Sequence, residues 1–379
     1  MERCVVHCDL DTFFVSVERL LDSSLVGMPV LIGGGSDRGV VASCSYEARR
    51  FGVHSAMPMK LARQLCPEAV LVRGDMDRYS RYSAMVTEII SETAPLVEKA
   101  SIDEHYIDLT GMDRFFGCWQ WTRELRRRLL KETGLPVSFG QSLNKTVSKI
   151  ATGEAKPCGE MQVLSGEEKP FLAPLSVRKI PMIGLKTYTM LANMGVSRVH
   201  TLQQMEADAM RRVFGANGLV IWKKANGLDD TPVMPYSEQK SISKERTFQQ
   251  DTIDMRMLRK TMLSMVDELA FELRKSRRLA SCITLKIRYS NFETFSKQAK
   301  LPYTSSERVL SEKVTDLFTK LYSRRMLIRL VGVKLGGLVT GSYQTDLFRD
   351  SLEELQLAEA MDRIRSKFGT RAVTRGICL

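Results

Sequence analysis

Three carboxylates in this chain stand directly beside short apolar runs. Asp9 follows the run at residues 5–8, and the pair Asp103 and Glu104 follows residues 100–102. Burying an ionised acid is costly unless the acid is paired or bound to a metal. Carboxylates from neighbouring strands supply the hard oxygen ligands that Mg²⁺ prefers, and two such ions can hold the attacking and leaving oxygens of a phosphoryl transfer. The pattern therefore predicts a site for metal-assisted phosphoryl transfer.

The two acids of the pair Asp103 and Glu104 can bind one metal site only if their side chains point the same way. Adjacent residues of a regular strand point to opposite faces, so Asp103 and Glu104 can act together only where the backbone turns or bulges. Most Asp-Glu dipeptides are solvated loop residues, so the pair alone is weak evidence. Its meaning depends on the surrounding elements.

The elements that must position these acids alternate between strand and helix. An apolar strand at residues 4–8 is followed by Phe14, Val17 and Leu21 at helical spacing. Further strands or extended runs are predicted at residues 29–32, 39–44, 97–109 and 137–141, and further helices at residues 47–51, 79–94, 119–133 and 144–155. Helices and strands built around one sheet make an α+β domain.

Two other modules follow this domain. Short helices punctuated by proline and glycine occupy residues 175–230, and a polar linker follows at 236–240. The next predicted elements are a strand at 241–248, a helix at 255–275, strands at 282–289 and 293–301, a helix at 306–321 and a strand at 328–335. This order matches the β-α-β-β-α-β unit. In the strand 282–289 apolar residues alternate with Thr284, Lys286 and Arg288, so one face should pack on helices while the other presents cations.

The chain is basic, with 56 Lys and Arg against 44 Asp and Glu, a net charge of +12 and a pI near 9.3. Such a balance favours a polyanionic partner, with nucleic acid first among the candidates. Residues 271–300 hold eight Lys or Arg against two Glu. That stretch is either a solvated charged face or a surface that follows phosphates without sequence preference.

Eight scattered cysteines form no CxxC pair, which predicts free thiols in a reducing compartment. Cys4, His7 and Cys8 are close in sequence, but they alternate faces in a strand and no second ligand pair follows, so a zinc site is not predicted. The chain reaches Asp9 without a signal-like segment, and no apolar run approaches the ~18 residues that span a bilayer. A cytoplasmic location is therefore predicted.

Four segments, in order, resemble the Y-family DNA polymerases. They are HCDLDTFFVSVE at residues 7–18, SYEARRFGV at 45–53, SIDE at 101–104 and AKPCG at 155–159. The resemblance covers about residues 1–348, and its nearest counterpart is the bacterial DNA polymerase IV type. It implies a multi-domain α+β right hand with a palm at 1–10 and 75–165, fingers at 11–74, a helical thumb at 166–236, a little finger at 237–341 and a tail at 342–379.

The same resemblance implies a template-directed, low-fidelity translesion polymerase that adds deoxynucleotides to a primer 3′-hydroxyl. No module resembles a proofreading exonuclease, so misinserted bases should not be excised. Asp9, Asp103 and Glu104 would hold two Mg²⁺ ions, with the Leu10 carbonyl as a further ligand. Mn²⁺ would suit the same oxygens.

Four side chains would contact the incoming nucleotide. Tyr46, Arg49 and Lys156 would bind its triphosphate, and Phe14 would exclude a ribose 2′-hydroxyl by overlap. Each also has a structural interpretation: the two aromatic residues would belong to the core, and the two cations to the surface.

Two positions depart from the family pattern. Residues 180–187 and 214–218 resemble helix-hairpin-helix elements, which present backbone N–H groups to DNA phosphates. Met182 stands where the family often has glycine, which puts that phosphate contact in doubt. His105 replaces the small or apolar residue that usually follows the acidic pair.

Beyond the last predicted strand, residues 344–348 resemble the peptide by which bacterial polymerases dock on the sliding clamp, with Gln344, Leu347 and Phe348 as its anchors. An amphipathic helix is predicted at 351–368. The implied partners are primer-template DNA, deoxynucleoside triphosphates and the clamp, and the protein should be a monomer.

Two other functions remain open. A non-catalytic DNA-binding accessory protein could keep this fold, although the complete set of acids and triphosphate ligands argues against it. A cyclase or another palm-type phosphoryl transferase acting on free nucleotides is disfavoured by the basic terminal module.

Overall fold

The computed structural model describes residues 2–112, 117–235, 238–341, 352–370, 372–374 and 376. The chain divides into two compact units, Met1–Ser237 and Glu238–Leu379. Within the described residues, no helix has the length and apolar character needed to cross a membrane.

The first unit alternates strands and helices along the chain. Its described strands are β1 (Val5–Leu10), β2 (Val30–Gly33), β3 (Val41–Cys44), β4 (Val70–Val72), β5 (Leu96–Lys99), β6 (Glu104–Asp108), β7 (Val137–Ser142) and β8 (Glu160–Gln162). Its described helices are α1 (Phe13–Leu21), α2 (Tyr46–Arg49), α3 (Met59–Leu65), α4 (Met76–Thr93), α5 (Cys118–Thr133), α6 (Lys145–Ala155), α7 (Glu168–Leu172), α8 (Leu185–Asn193), α9 (Val199–Gln204), α10 (Ala207–Phe214) and α11 (Ala216–Ala225).

A five-stranded sheet in the order β5-β6-β1-β7-β8 forms the centre of this unit. The middle strand β1 pairs antiparallel with β6 on one side and β7 on the other. Because side chains alternate along a strand, Val6, Cys8 and Leu10 enter the core shared with α1, α4 and α5, while His7 and Asp9 point to the opposite face. The strand is buried on both faces, so its acid is too.

Two smaller modules complete the first unit. The strands β3-β2-β4 form a separate sheet over a small apolar core with α2 and α3. Helices α7 to α11 enclose another core that includes Leu191, Leu202 and Ile221.

One predicted element is wrong in detail. The extended run expected over residues 97–109 consists of two strands, β5 and β6, joined by a turn at 100–103. The two strands pair with each other, which a continuous run could not do. The turn contains neither glycine nor proline, so the local pattern did not mark it.

The second unit has the predicted β-α-β-β-α-β order. Its elements are β9 (Ser241–Thr252), α12 (Met255–Lys275), β10 (Arg278–Tyr289), β11 (Thr294–Thr304), α13 (Glu307–Leu321) and β12 (Ile328–Thr340), followed by α14 (Leu352–Phe368). The sheet order is β11-β10-β12-β9. Ile283, Leu285, Ile287 and Tyr289 are fully buried against α12 and α13, which confirms the predicted alternation of β10.

The tail helix α14 is fastened to α12 by two arginine-aspartate pairs. Arg274 donates to both oxygens of Asp362, at 2.6 and 2.9 Å, and Arg365 donates to both oxygens of Asp267, at 2.9 and 2.6 Å. The second pair is almost fully buried. Arg274, a cation of the basic stretch at 271–300, is therefore engaged in holding the tail.

Candidate active site

The sheet register brings two of the predicted acids together. Asp9 on β1 lies opposite Glu104 on β6, so both side chains are on the same face. Asp103 immediately precedes β6, and its backbone oxygen accepts a hydrogen bond from the Leu10 amide at 3.0 Å. The three acids and the Leu10 carbonyl thus lie where the ends of two paired strands meet.

The turn before β6 resolves the problem of two adjacent acids. The Ser101 hydroxyl donates to Oδ1 of Asp103 at 2.5 Å and accepts from the backbone amides of Asp103 and Glu104, at 3.3 and 3.1 Å. The backbone therefore bends at 101–103, and Asp103 leaves the alternation of the strand. Only Glu104 belongs to β6 itself.

Asp9 is largely buried at this site. Burial raises the pKa of Asp9 to about 6, although the ammonium of Lys156, bonded to its Oδ1, acts in the opposite direction. The nearby carboxylates of Glu104 and Asp103 raise it further. A charged Asp9 therefore needs a nearby cation.

Glu104 has an imidazole and an ammonium group as neighbours instead. His7 and Lys149 lower the pKa of Glu104 to about 2. Lys149 is the closer partner, because its ammonium lies 2.6 Å from both carboxylate oxygens, whereas Nε2 of His7 is 3.8 Å away. His7 itself is buried, and burial lowers its pKa.

The chemistry of this donor set fits a divalent cation. Within the described part of the chain, no group of three His, Cys, Asp or Glu side chains is gathered closely enough to hold an ion as it stands. Ammonium groups hold the carboxylates of Asp9 and Glu104 instead. Hard carboxylate oxygens that already attract positive charge are the ligands that Mg²⁺ takes in proteins.

Lys149 is a site residue that the sequence analysis missed. It lies on α6, and Lys156 is the extended residue that follows the end of this helix, seven residues or about two turns later. Both lysines reach the acids of the sheet. The spacing was the available signal. It had no meaning until α6 was known to pack on β1.

Asp11 is a second missed residue. It is fully buried and accepts three hydrogen bonds: from the Tyr46 hydroxyl at 3.0 Å, from the Ser138 hydroxyl at 2.8 Å and from the Cys158 amide at 2.7 Å. Asp11 thereby ties Tyr46 on α2 to the turn that follows Lys156. Its position, one residue past the end of a buried strand, was the only sequence signal.

Of the four predicted nucleotide contacts, Phe14, Arg49 and Lys156 line one cavity, whereas Tyr46 is not among its lining residues. A cavity of about 190 Å³ is lined by Asp9, Asp103, Phe14, Arg49 and Lys156, among others. The Tyr46 hydroxyl is turned to Asp11, and its ring lies 4.9 Å from the guanidinium carbon of Arg49. Ser45 caps the short helix α2 that carries both residues, accepting from the Ala48 amide at 3.3 Å.

Phe14 is held in place by another aromatic ring. It stacks on Tyr79, with ring centroids 4.2 Å apart and planes inclined by 11°. The Tyr79 hydroxyl donates to Glu18 at 2.7 Å, so the supporting ring is fixed in turn. Thr12, in the left-handed region at φ +43°, makes the sharp bend that places Phe14 at the mouth of the cavity.

His105 does not disturb the acids. It points to the face opposite Glu104, where its Nε2 lies 2.9 Å from the Thr87 hydroxyl. The Thr87 hydroxyl donates its proton to the Ser83 carbonyl, so Nε2 of His105 must be the donor in the bond to Thr87. Burial lowers the pKa of His105 to about 4, so the ring is neutral. The departure from the family pattern is thus accommodated by helix α4.

Met182 has a left-handed backbone conformation, which favours glycine. Its φ is +80°, and its side chain is 53% exposed. In the second hairpin-like segment Gly215 has φ +65°, and a Cβ on Gly218 would lie 2.1 Å from the Met210 carbonyl oxygen. The backbone at Met182 is therefore strained. Residues 344–348, the predicted clamp peptide, lie outside the described residues.

Comparison with known proteins identifies the family of this chain. Residues 8–153 match the impB/mucB/samB family, and residues 239–347 match the C-terminal domain of the same family. The chain belongs to this family, as a Y-family DNA polymerase of the DNA polymerase IV type.

Relatives match over nearly the whole chain. The DNA polymerase IV of Dehalococcoides mccartyi strain CBDB1 is 35% identical over 378 residues, covering 99% of this chain and 97% of that protein. The DNA polymerase IV of Treponema denticola is 34% identical, covering 97% and 95%. That of Methanoculleus marisnigri is 37% identical, covering 89% and 95%.

Two solved structures resemble the fold. A Y-family DNA polymerase chimera has a TM-score of 0.79 at 26% identity, and DinB from Sulfolobus solfataricus has a TM-score of 0.62 at 25% identity. Each comparison covers 89% of this chain and all of the other.

Proposed function

We propose that Asp9, Asp103 and Glu104 are the catalytic carboxylates of this translesion DNA polymerase. The observation that carries the proposal is the pairing of Asp9 with Glu104 across β1 and β6, with Asp103 in the turn beside them. Family membership makes the chain a DNA-directed DNA polymerase that takes primer-template DNA and deoxynucleotides, needs a divalent metal and serves DNA damage tolerance.

In the proposed reaction the primer 3′-hydroxyl attacks the α-phosphate of a deoxynucleoside triphosphate, and pyrophosphate leaves. Two Mg²⁺ ions held by the three acids and the Leu10 carbonyl would supply positive charge to the attacking and leaving oxygens, and Mn²⁺ would suit the same ligands. Arg49 and Lys156 line the same cavity as Asp9 and Asp103, so they would bind the triphosphate and stabilise the charge that develops on pyrophosphate.

Tyr46 would contact the same triphosphate. Its hydroxyl is held by Asp11, which also accepts from the Cys158 amide just past Lys156. Asp11 would therefore act as a positioning residue that keeps Tyr46 and the segment carrying Lys156 in register.

The remaining assignments follow the family resemblance. The palm would comprise residues 1–10 and 75–165, the fingers 11–74, the thumb 166–236 and the little finger 237–341, with a tail at 342–379. Gln344, Leu347 and Phe348 would dock on the sliding clamp. The polymerase would act in the cytoplasm as a monomer without proofreading.

We also propose that Phe14 excludes a ribose 2′-hydroxyl by overlap, and substitution at Phe14 tests that assignment. Primer extension on templates that offer each base in turn should follow the template with deoxynucleotides. Phe14→Val should raise incorporation of ribonucleotides about tenfold or more, since a smaller side chain removes the overlap with the 2′-hydroxyl. Val17→Ala, which shortens a fully buried side chain of the same helix that does not line the cavity, is the matched control and should leave the sugar preference unchanged. An unchanged preference in Phe14→Val would overturn the assignment.

The alternative of a non-catalytic accessory protein is not favoured. The relatives that match nearly the whole chain are named as polymerases, and the carboxylates and lysines of the site are all present. An accessory protein would have no need to keep a buried acid such as Asp9.

A further inference from the structure

The hairpin that joins β10 and β11 carries an aromatic side chain on a strained backbone. Phe292 has φ +67°, and the turn is closed by its amide donating to the Tyr289 carbonyl at 3.0 Å and by the Tyr289 amide donating to the Glu293 carbonyl at 3.0 Å. A bulky residue in the left-handed region costs ~1 to 2 kcal/mol, which glycine would not incur. Such strain at one residue suggests a use for its side chain.

Packing does not account for Phe292. The side chain is 62% exposed, and it is not among the apolar residues of the core formed by the sheet and helices α12 and α13. A ring left in water contributes little hydrophobic free energy to folding. The turn thus holds an aromatic ring outward at a cost to the fold.

An arginine covers the ring. The guanidinium carbon of Arg329 lies 4.6 Å from the centroid of Phe292, and the same guanidinium reaches Asp251 at 4.0 Å. Nearby Phe295 has a similar arrangement: it is partly exposed, and Arg324, paired with Glu293 at 2.5 Å, lies 4.9 Å from its centroid. The hairpin end therefore presents two aromatic rings, each accompanied by a guanidinium.

This combination matches the chemistry that binds single-stranded nucleic acid. Unpaired bases stack on exposed aromatic rings irrespective of sequence, while nearby cations attract the phosphates. We propose that Phe292 is a stacking platform for an unpaired base of the single-stranded template, with Arg324 and Arg329 beside its phosphates. This proposal rests on the polymerase function above and adds a contact outside the active site.

Three substitutions of Phe292 separate stacking from stability. Phe292→Gly removes the ring and relieves the strained backbone, Phe292→Trp keeps a ring, and Phe292→Leu keeps apolar bulk without one. Equilibrium binding is measured for a labelled primer-template with a single-stranded overhang of about 16 nucleotides, the upper range of such sites, and for the blunt duplex.

For the overhang substrate, Phe292→Gly and Phe292→Leu should weaken binding about tenfold, the effect expected for one lost base stack, and Phe292→Trp should retain it. Binding of the blunt duplex should be unchanged in all three proteins. Equal losses on both substrates, or no loss on either, would overturn the proposal, as would full affinity in Phe292→Leu.

A second measurement locates the base. A fluorescent adenine analogue, placed at successive overhang positions, should be quenched at one position by the wild-type protein and by Phe292→Trp, but not by Phe292→Gly. Quenching that is the same in all three proteins would contradict the proposal. Primer extension by wild-type protein is measured in parallel, so failure of the stacking contact with extension intact leaves the polymerase assignment standing.

Discussion

Among the single residues of the proposed active site, Asp9 is unfavourable for the stability of the fold. Asp9 is a buried carboxylate whose charge is unfavourable in the folded protein, as its pKa of about 6 shows. Residues tuned for function often lower stability in this way. The site can therefore be probed by stability as well as by activity.

Replacing Asp9 should stabilise the metal-free protein. The ordinary Asp pKa is ~3.9 in an unfolded chain, so the folded state takes up a proton as pH falls through about 6. Protonation of Asp9 therefore stabilises the folded state. This stabilisation is fully present below pH ~4 and is lost as the pH rises through about 6. Asp9→Asn should raise the free energy of unfolding at pH ~8 by about 1 to 2 kcal/mol and make no difference near pH ~4.

Urea titrations with chelator present would measure this effect. All three tryptophans, Trp119, Trp121 and Trp222, lie in the first unit, so their fluorescence reports on the unit that contains Asp9. Equal stability of the two proteins at the higher pH would show that burial of Asp9 is not costly.

The sequence pointed to three candidate acids but not to the residues that pair with them. Asp9, Asp103 and Glu104 were recognisable because each stands beside an apolar strand. Lys149 was not recognisable, because a lysine on a helix looks like a surface residue until the packing of that helix on β1 is known. Asp11 was not recognisable either, because its partners Tyr46, Ser138 and Cys158 are far from it in the sequence. Partners that meet across the sheet depend on register, which local sequence does not encode.

At the scale of elements, the site depends on antiparallel pairing and on one turn. Because β1 lies between β6 and β7, acids from two strand ends meet on one face. The prediction of an unbroken extended run at 97–109 was wrong because the turn at 101–103 is fixed by the Ser101 hydroxyl rather than by glycine or proline. Turns made by side-chain hydrogen bonds leave a weak signal in sequence.

The hairpin at Met182 gives a prediction at this scale. Its left-handed backbone should be relieved by Met182→Gly, raising the free energy of unfolding of the first unit by about 0.5 to 1 kcal/mol, since the half-exposed side chain loses little packing. Met182→Val should lower it by about 1 kcal/mol, because β-branched residues adopt this region poorly. The same tryptophan-monitored urea titration measures both. If the valine variant were as stable as the wild type, the turn would not be strained.

At the scale of the whole molecule, regular patterns were predictable and long-range contacts were not. The β-α-β-β-α-β order of the second unit followed from alternation in strands such as β10, and the helix Met255–Lys275 has the predicted bounds. The attachment of α14 by Arg274 and Arg365 was not foreseen, since each pairs with an aspartate some ninety residues away along the chain. The basic composition indicated a polyanionic partner, and family membership makes that partner DNA.

The central claim is that Asp103 and Glu104, paired with Asp9, catalyse templated DNA synthesis. It is tested most directly by extension of a labelled primer with Mg²⁺ and deoxynucleotides, comparing the wild type with Asp103→Ala plus Glu104→Ala. Asp108→Ala, on the same strand as Glu104 but at its far end, is the matched control.

The wild type and the Asp108 variant should extend the primer, and the double variant should be slower by about a thousandfold or more while still binding DNA. Extension by the double variant at the wild-type rate would contradict the assignment of the catalytic acids, and DNA binding without extension by any of the three proteins would contradict the polymerase itself.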